Sequence, residues 1–318
     1  MSLPLVSVLI PVYNSEMYIA ETITSVLNQT WNNIEIVVVD DGSTDSSFTL
    51  AKAMESERVR VYKQTNKGAC AARNFAFSVA KGEYIQYLDA DDLLSSDKIE
   101  KQLQILSSSL PGTVATCVWG RFVNSVTEFK AEEKEINKNY DIPVNWLIDS
   151  WGGKGSAQTS VWLVPRFLIE AAGPWNEDLK INQDGEFFAR VLLHAKAIKF
   201  CESVYVYYRS DNENSISKSN KSEAKAESLL SSFESYKKMI LPSYDSIEIR
   251  KVLALNFCNF IYLYSPHYPH LIRRANINIK ELNVRRVSSI GGSGFRTLAK
   301  FVGFSNAIKL RNLIKNGS

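Results

Sequence analysis

The sequence predicts an α/β domain built on a mostly parallel central sheet, followed by a mostly helical C-terminal region. Three observations carry this. Runs such as Val6–Ile10 and Ile34–Val39 are apolar almost throughout, as strands covered on both faces are. Helical patterns stand between such runs, the alternation of a doubly wound sheet. Beyond a polar stretch from Ser210 to Ser222, read as a linker, the chain is mostly helical to its end.

The elements follow in order. Val6–Ile10 is a β-branched strand that Pro11 and Asn14 close. Glu16–Gln29 places Ile19, Ile23, Val26 and Leu27 at helical spacing. After the strand Ile34–Val39 come a helix over Thr44–Met54, a strand over Val59–Tyr62 and an alanine-rich helix over Ala69–Ala80. A strand over Tyr84–Leu88 leads to a helix over Ser95–Leu110, which Ser95 is placed to cap. Thr113–Trp119 is again a strand. Residues 122–155, with Trp146, Trp151, Gly152, Gly153 and Gly155, read as irregular. Ser160–Val164 is expected as a strand, Pro165 as a helix start, Phe187–His194 as a helix and Val204–Tyr208 as a strand.

Sheets of this kind bind ligands beyond the carboxyl ends of their strands, and acids cluster there. The second strand runs into Asp40-Asp41-Gly42-Ser43-Thr44-Asp45, and the strand from Tyr84 runs into Asp89-Ala90-Asp91-Asp92. Adjacent carboxylates repel one another. A turn with a helix cap accounts for either cluster singly; a magnesium or manganese ion shared with substrate phosphates accounts for both together.

Five motifs stand in order: Val8-Leu-Ile-Pro-Val-Tyr-Asn14, Val37-Val-Val-Asp-Asp-Gly-Ser-Thr-Asp45, Asn66-Lys-Gly-Ala-Cys-Ala-Ala-Arg-Asn74, Ala80-Lys-Gly-Glu-Tyr-Ile85 and Leu88-Asp-Ala-Asp-Asp92. Together they resemble the family 2 glycosyltransferases of the GT-A fold, continuously from about Val6 to Leu110 and more weakly to about Arg209. The resemblance implies roles position by position. Pro11, Val12, Tyr13 and Asn14 are the first wall of the nucleotide site, and Asp41 accepts a hydrogen bond from the donor's base, commonly uracil. Lys67 and Arg73 contact the donor, where cations suit diphosphate oxygens. Asp89-Ala90-Asp91 matches the metal-binding DxD triplet, with Asp91 the direct ligand and Asp89 near the ribose or in the metal shell. Asp92 does either job or caps the turn. Asn182-Gln183-Asp184-Gly185-Glu186 aligns with the family's acidic pair. This makes Asp184 the catalytic base, although Gln183 replaces the commoner glutamate and Glu186 is a stand-in for the missing acid. A helix N-cap before Phe187 is the plainer reading of Asp184. Ala172–Glu177 resembles the glycine-aromatic turn that precedes this acid.

The implied domains are a catalytic domain over 1–215, with a nucleotide-sugar half (1–110) and an acceptor half (111–215), and a helical extension over 216–318. The implied activity is inverting transfer of a sugar from a nucleoside-diphosphate donor, UDP-linked, to a hydroxyl of a glycan or lipid-linked glycan during cell-surface polysaccharide assembly. The alternative is a non-catalytic nucleotide-sugar-binding relative, which the presence of both Asp91 and Asp184 disfavours.

Composition sets the remaining bounds. The chain has 318 residues, with 45% apolar and 22% charged, which excludes a disordered protein. The net charge is +3, but from Leu271 onward ten basic residues face one acid, a net +9 that leaves −6 on the rest. Apolar residues interleave with those cations, so residues 271–318 are expected to contact an anionic membrane or to pack on the catalytic domain. No recognition motif accompanies the charge, so nucleic acid is not an expected partner. Cys70, Cys117, Cys201 and Cys258 have no metal or redox spacing and read as buried thiols of a cytoplasmic protein. No signal-peptide pattern stands at the N-terminus, and the apolar run Val252–Tyr264 is too short and polar to span a bilayer. The expected location is the cytoplasm, with peripheral contact at the inner membrane face. The Gly-x-Gly-x-x-Gly turn of a dehydrogenase is missing after the first strand, and His267 and His270 have no third ligand nearby in sequence.

Overall fold

The computed structural model describes residues 3–210, 222–284 and 290–316. Most of the expected linker, the boundary at 215, and Arg285 and Arg286 of the basic tail lie outside the described residues. The strands are β1 (Val6–Val12), β2 (Ile34–Asp40), β3 (Val59–Lys63), β4 (Tyr84–Tyr87), β5 (Leu93–Leu94), β6 (Thr113–Phe122), β7 (Lys130–Ala131), β8 (Val164–Pro165) and β9 (Ala197–Arg209). The helices are α1 (Ile19–Leu27), α2 (Ser47–Lys52), α3 (Ala69–Val79), α4 (Lys98–Ser107), α5 (Pro143–Asp149), α6 (Arg166–Ala172), α7 (Gln183–His194), α8 (Glu223–Ile240), α9 (Ile247–Tyr264), α10 (Pro269–Leu282), α11 (Ser293–Val302) and α12 (Phe304–Asn316).

The main sheet has the order β3-β2-β1-β4-β8. Its first four strands are parallel and β8 is antiparallel. A second sheet, β5-β9-β6-β7, is built on the long parallel pair β6 and β9. All seven residues of β1 are buried, which is why its sequence could not alternate. Each fully buried valine, leucine or isoleucine there contributes roughly 1.5–3 kcal/mol of transfer free energy. β2 and β3 run to one side of β1 and β4 to the other, so the chain reverses its winding between β1 and β4. This topological switch point opens a crevice at the carboxyl ends of those two strands. Register fixes what lines it: Val12 pairs with Asp40, and Leu9 with Tyr87, which leads directly into Asp89. β4 pairs with β1 only as far as Leu9, which lets Pro11, with no N–H to donate, sit in a central strand.

The described residues group into two compact units. One comprises residues 1–146, 154–177 and 187–218; the other comprises 147–153, 178–186 and 219–318. In the second unit α9 packs on α8 and α10, with Leu253, Phe257, Phe260 and Ile261 buried and Phe257 against Phe233 of α8.

Several local expectations differ from the structure. Ser95 does not cap α4: its Oγ accepts from Tyr205 N (3.0 Å), and the helix starts only at Lys98. Residues 159–161 form a 3₁₀ turn, leaving only Val164 and Pro165 as β8, so Pro165 ends a strand and does not begin the helix. α7 begins at Gln183, four residues before the expected start, with Asp184 inside its first turn. β9 begins at Ala197, seven residues early. All four cysteines are buried and none is in a disulfide.

Candidate active site

The crevice between β1 and β4 is bordered by loops clipped to one another. Asn14, at the end of β1, holds φ +47°. Its N–H donates to Ser43 Oγ (3.0 Å), and its Oδ1 accepts from Thr44 N (2.9 Å). Asn14 therefore ties the β1 and β2 loops together. Pro11 and Val12 are buried in the strand, while Tyr13 is half exposed beside them. Asp41 is 3% exposed. Its carboxylate accepts from Gln64 Nε2 (2.7 Å), Lys67 N (2.8 Å) and Gly68 N (2.7 Å). A carboxylate offers about four lone-pair sites, so one remains for a ligand. Gly42 holds φ +77°, and a Cβ there would stand 2.8 Å from Asn66 N, so the turn needs glycine. The Lys67 side chain is exposed at this edge.

The acidic turn follows β4. Arg73 is buried, pairs with Asp89 Oδ1 (2.7 Å) and lies over the Trp175 ring at 4.5 Å. The structure thus brings Arg73 and Asp89 together and engages Arg73 with protein. Thr22 Oγ1 donates to the carbonyls of Ala90 (2.9 Å) and Asp92 (3.0 Å). Asp91 is partly exposed, whereas Asp92 is fully buried. Asp92 accepts from Gln158 Nε2 (2.5 Å) and from Arg209 N (3.1 Å). Burial first, and then the charges of Asp91 and Asp89, push the Asp92 carboxyl well above the usual carboxylate range. Three carboxyl groups thus stand within four residues, with Asp89 paired to Arg73 and Asp92 shifted towards its neutral form. Among the described residues no group of three or more His, Cys, Asp or Glu side chains is arranged as a complete protein cage for a metal. Magnesium and manganese need none: one or two carboxylates suffice when water and phosphate complete the shell. The partly exposed Asp91 suits such an ion chemically, while Asp89 meets Arg73 through Oδ1 and Gln158 through Oδ2 (3.4 Å).

Asp184 belongs to the second unit. Asn182 precedes it at φ +57° and donates through Nδ2 to Ser232 Oγ (2.7 Å) and Tyr236 OH (2.8 Å). A Cβ on Gly185 would stand 2.4 Å from Tyr236 OH, so glycine alone lets this turn approach α8. Tyr236 is buried, which together with the nearby charges of Asp184 and Glu186 raises its hydroxyl pKa. Trp151 stacks on it at 4.5 Å. Glu186 is 3% exposed and accepts from Ser235 Oγ (2.9 Å), so it holds helices together and does not substitute for a solvent-facing acid. His270 lies 3.2 Å from Glu223 Oε1, as a surface histidine would. The sequence reading missed Thr22, Gln158 and Arg209, which reach the turn from distant segments with no local motif.

Comparison with known proteins agrees with this geometry. Residues 7–156 match the model of the glycosyl transferase family 2. The chain is 44% identical over 109 residues to a Haemophilus influenzae protein described as an uncharacterized glycosyltransferase, spanning 33% of this chain and 44% of that protein. It is 32% identical over 221 residues to glycosyltransferase GlyG of Streptococcus pneumoniae, spanning 64% of this chain and 71% of the relative. Among solved structures, residues 1–349 of Staphylococcus aureus TarS in complex with UDP-GlcNAc superpose with a TM-score of 0.71 at 19% identity, over 99% of this chain and 92% of that one. With the motifs at the strand ends, the acidic turn at the switch point and a relative covered over most of its length, this chain belongs to glycosyl transferase family 2.

Proposed function

We propose that this chain transfers a sugar, with inversion, from a nucleoside-diphosphate sugar to a hydroxyl of a glycan or lipid-linked glycan, in the assembly of cell-surface polysaccharide. The observation that carries the reading is the acidic turn Asp89–Asp92 at the carboxyl end of β4, beside the end of β1 at the switch point. UDP is the preferred donor nucleotide, in keeping with the TarS complex. Asp41 keeps an acceptor site for the base, Lys67 presents a cation at the same edge, and Asp91, with Asp89 beside it, would hold a manganese or magnesium ion. The chemistry it would supply there is neutralisation of the charge that grows on the departing diphosphate. Asp184 takes the proton of the attacking hydroxyl. The hydroxyl oxygen so activated attacks the anomeric carbon opposite the departing diphosphate, and this single displacement inverts the centre.

The decisive experiment is a donor screen that measures nucleotide release with manganese present. Release from at least one nucleotide-sugar, rising with added glycan acceptor, is the expected result. Donor binding without any release would favour the non-catalytic relative.

The location we propose is cytoplasmic, with contact at an anionic membrane through α11 and α12. Among the described residues no helix is long and apolar enough to cross a membrane. Phe301 is 84% exposed, Leu313 70% and Ile314 71%, and Arg296, Lys300 and Lys309 are exposed on the same two helices. Two other cations of the basic tail, Arg274 and Arg311, serve packing. Arg274 pairs with Glu227 and Glu234, and Arg311 donates to the Tyr262 (2.7 Å) and Ser265 (3.0 Å) carbonyls. Three exposed cations at about 1 kcal/mol each give measurable, salt-sensitive attraction to acidic lipid. The full chain is expected to sediment with phosphatidylglycerol vesicles and not with phosphatidylcholine vesicles. Replacing Phe301 and Leu313 by aspartate should weaken that binding by about tenfold or more. Equal binding by the variant would leave α11 and α12 as packing elements only.

A further inference from the structure

Arg209, the last residue of β9, is 6% exposed. All three of its guanidinium nitrogens donate within the protein. Nε donates to the Asp91 carbonyl (3.0 Å), Nη2 to Glu21 Oε2 on α1 (2.6 Å) and Nη1 to the Val123 carbonyl (3.4 Å). Its own N–H donates to Asp92 Oδ1 (3.1 Å). The guanidinium carbon lies over the rings of Tyr18 (4.7 Å) and Phe122 (4.4 Å), which fix its plane. A single residue thus grips the acidic turn twice, by the main chain of Asp91 and by the side chain of Asp92. Glu21 anchors the grip on α1, where the adjacent Thr22 holds the same turn by its carbonyls.

We infer that Arg209 is a positioning residue for the acidic turn: with Glu21 it sets the main-chain course through Asp91 and so the aim of the Asp91 carboxylate. The inference rests on the donor-site reading above. Arg209 is not itself a diphosphate ligand, because its donors are engaged with protein and it is buried. The role needs arginine: a planar fork lying over two rings and donating in three directions has no lysine equivalent. It also explains a buried cation placed against a carbonyl when three carboxylates stand within four residues. Arg73 already takes up one of those carboxylates, Asp89, whereas the Arg209 guanidinium lies on the main chain of Asp91 and orients the turn.

The test is calorimetric titration of the full chain with the tightest-binding of UDP, GDP, CDP and dTDP, once with manganese and once with EDTA, alongside thermal melting. Loss of an outer partner of a metal ligand weakens metal affinity by about 10–100-fold, so Arg209→Lys should reduce the manganese-dependent gain in nucleotide affinity on that scale. Glu21→Gln, which keeps an acceptor on a partly exposed side chain, should reduce the gain by about threefold. In EDTA both variants should bind within about twofold of the parent chain, since that binding does not use the turn. A lowered melting temperature with an undiminished manganese-dependent gain in both variants would overturn the inference and leave Arg209 a stabilising residue. Absence of any manganese-dependent gain in the parent chain would instead sink the metal reading of the turn, a distinguishable failure.

Discussion

Asp91→Ala is expected to lower sugar transfer by about 10³-fold or more, the several kcal/mol that a cation on a departing diphosphate is worth. The chain should still fold. The Asp91 carbonyl, which Arg209 grips, survives the substitution, and so do the bonds from Thr22 to its neighbours. The side chain itself is partly exposed, and its charge is one of those that push the Asp92 carboxyl up. Removing it relieves a repulsion in the folded state. Nucleotide release and melting temperature, measured together, check both halves of the expectation. Full turnover by the variant in excess chelator would remove the metal from the reaction.

Asp184→Asn should leave donor binding intact and lower turnover by roughly 10²-fold or more. The amide keeps the shape of the carboxylate but cannot accept a proton from the attacking hydroxyl. Asp184 stands in the first turn of α7. The turn is held rigidly by the bonds from Asn182 to Ser232 and Tyr236, so the substitution changes chemistry and not placement. Unchanged turnover would move the base elsewhere, and Glu186, buried against Ser235, would not inherit the role.

How much of this was legible in the sequence differs from element to element. β1 and β2 were readable to within two residues because burial on both faces leaves few polar positions; β1 runs on through Pro11, expected to close it, to Val12, since β4 no longer pairs there and needs no N–H from it. Where a long-range bond competes with a local signal, the local signal misleads. Ser95 has the chemistry of a helix cap, but Tyr205 N, 110 positions away, takes its oxygen. Residues 159–161 look like a strand, yet the Ser160 and Val161 carbonyls accept from Gln86 Nε2 and Gln102 Nε2 and are drawn into a turn. The first turn of α7 is polar and glycine-bearing, so periodicity recognises the helix only from Phe187. At the site, the acids were found because they cluster in sequence. Their supports, Gln158 and Arg209, were not, since a lone glutamine or a strand-terminal arginine has no pattern until the sheets bring it within reach of Asp92.

The clips between the loops around β1, β2 and β3 carry a thermodynamic consequence. Asn14 fastens one loop to Thr44, and Asp41 fastens the next to Lys67 and Gly68. Ordering a free loop costs about 1–2 kcal/mol per residue in backbone entropy. Here that loss is taken during folding, before any donor arrives. Binding at this edge therefore meets a ready-made surface, and a nucleotide need contribute little affinity towards organising it.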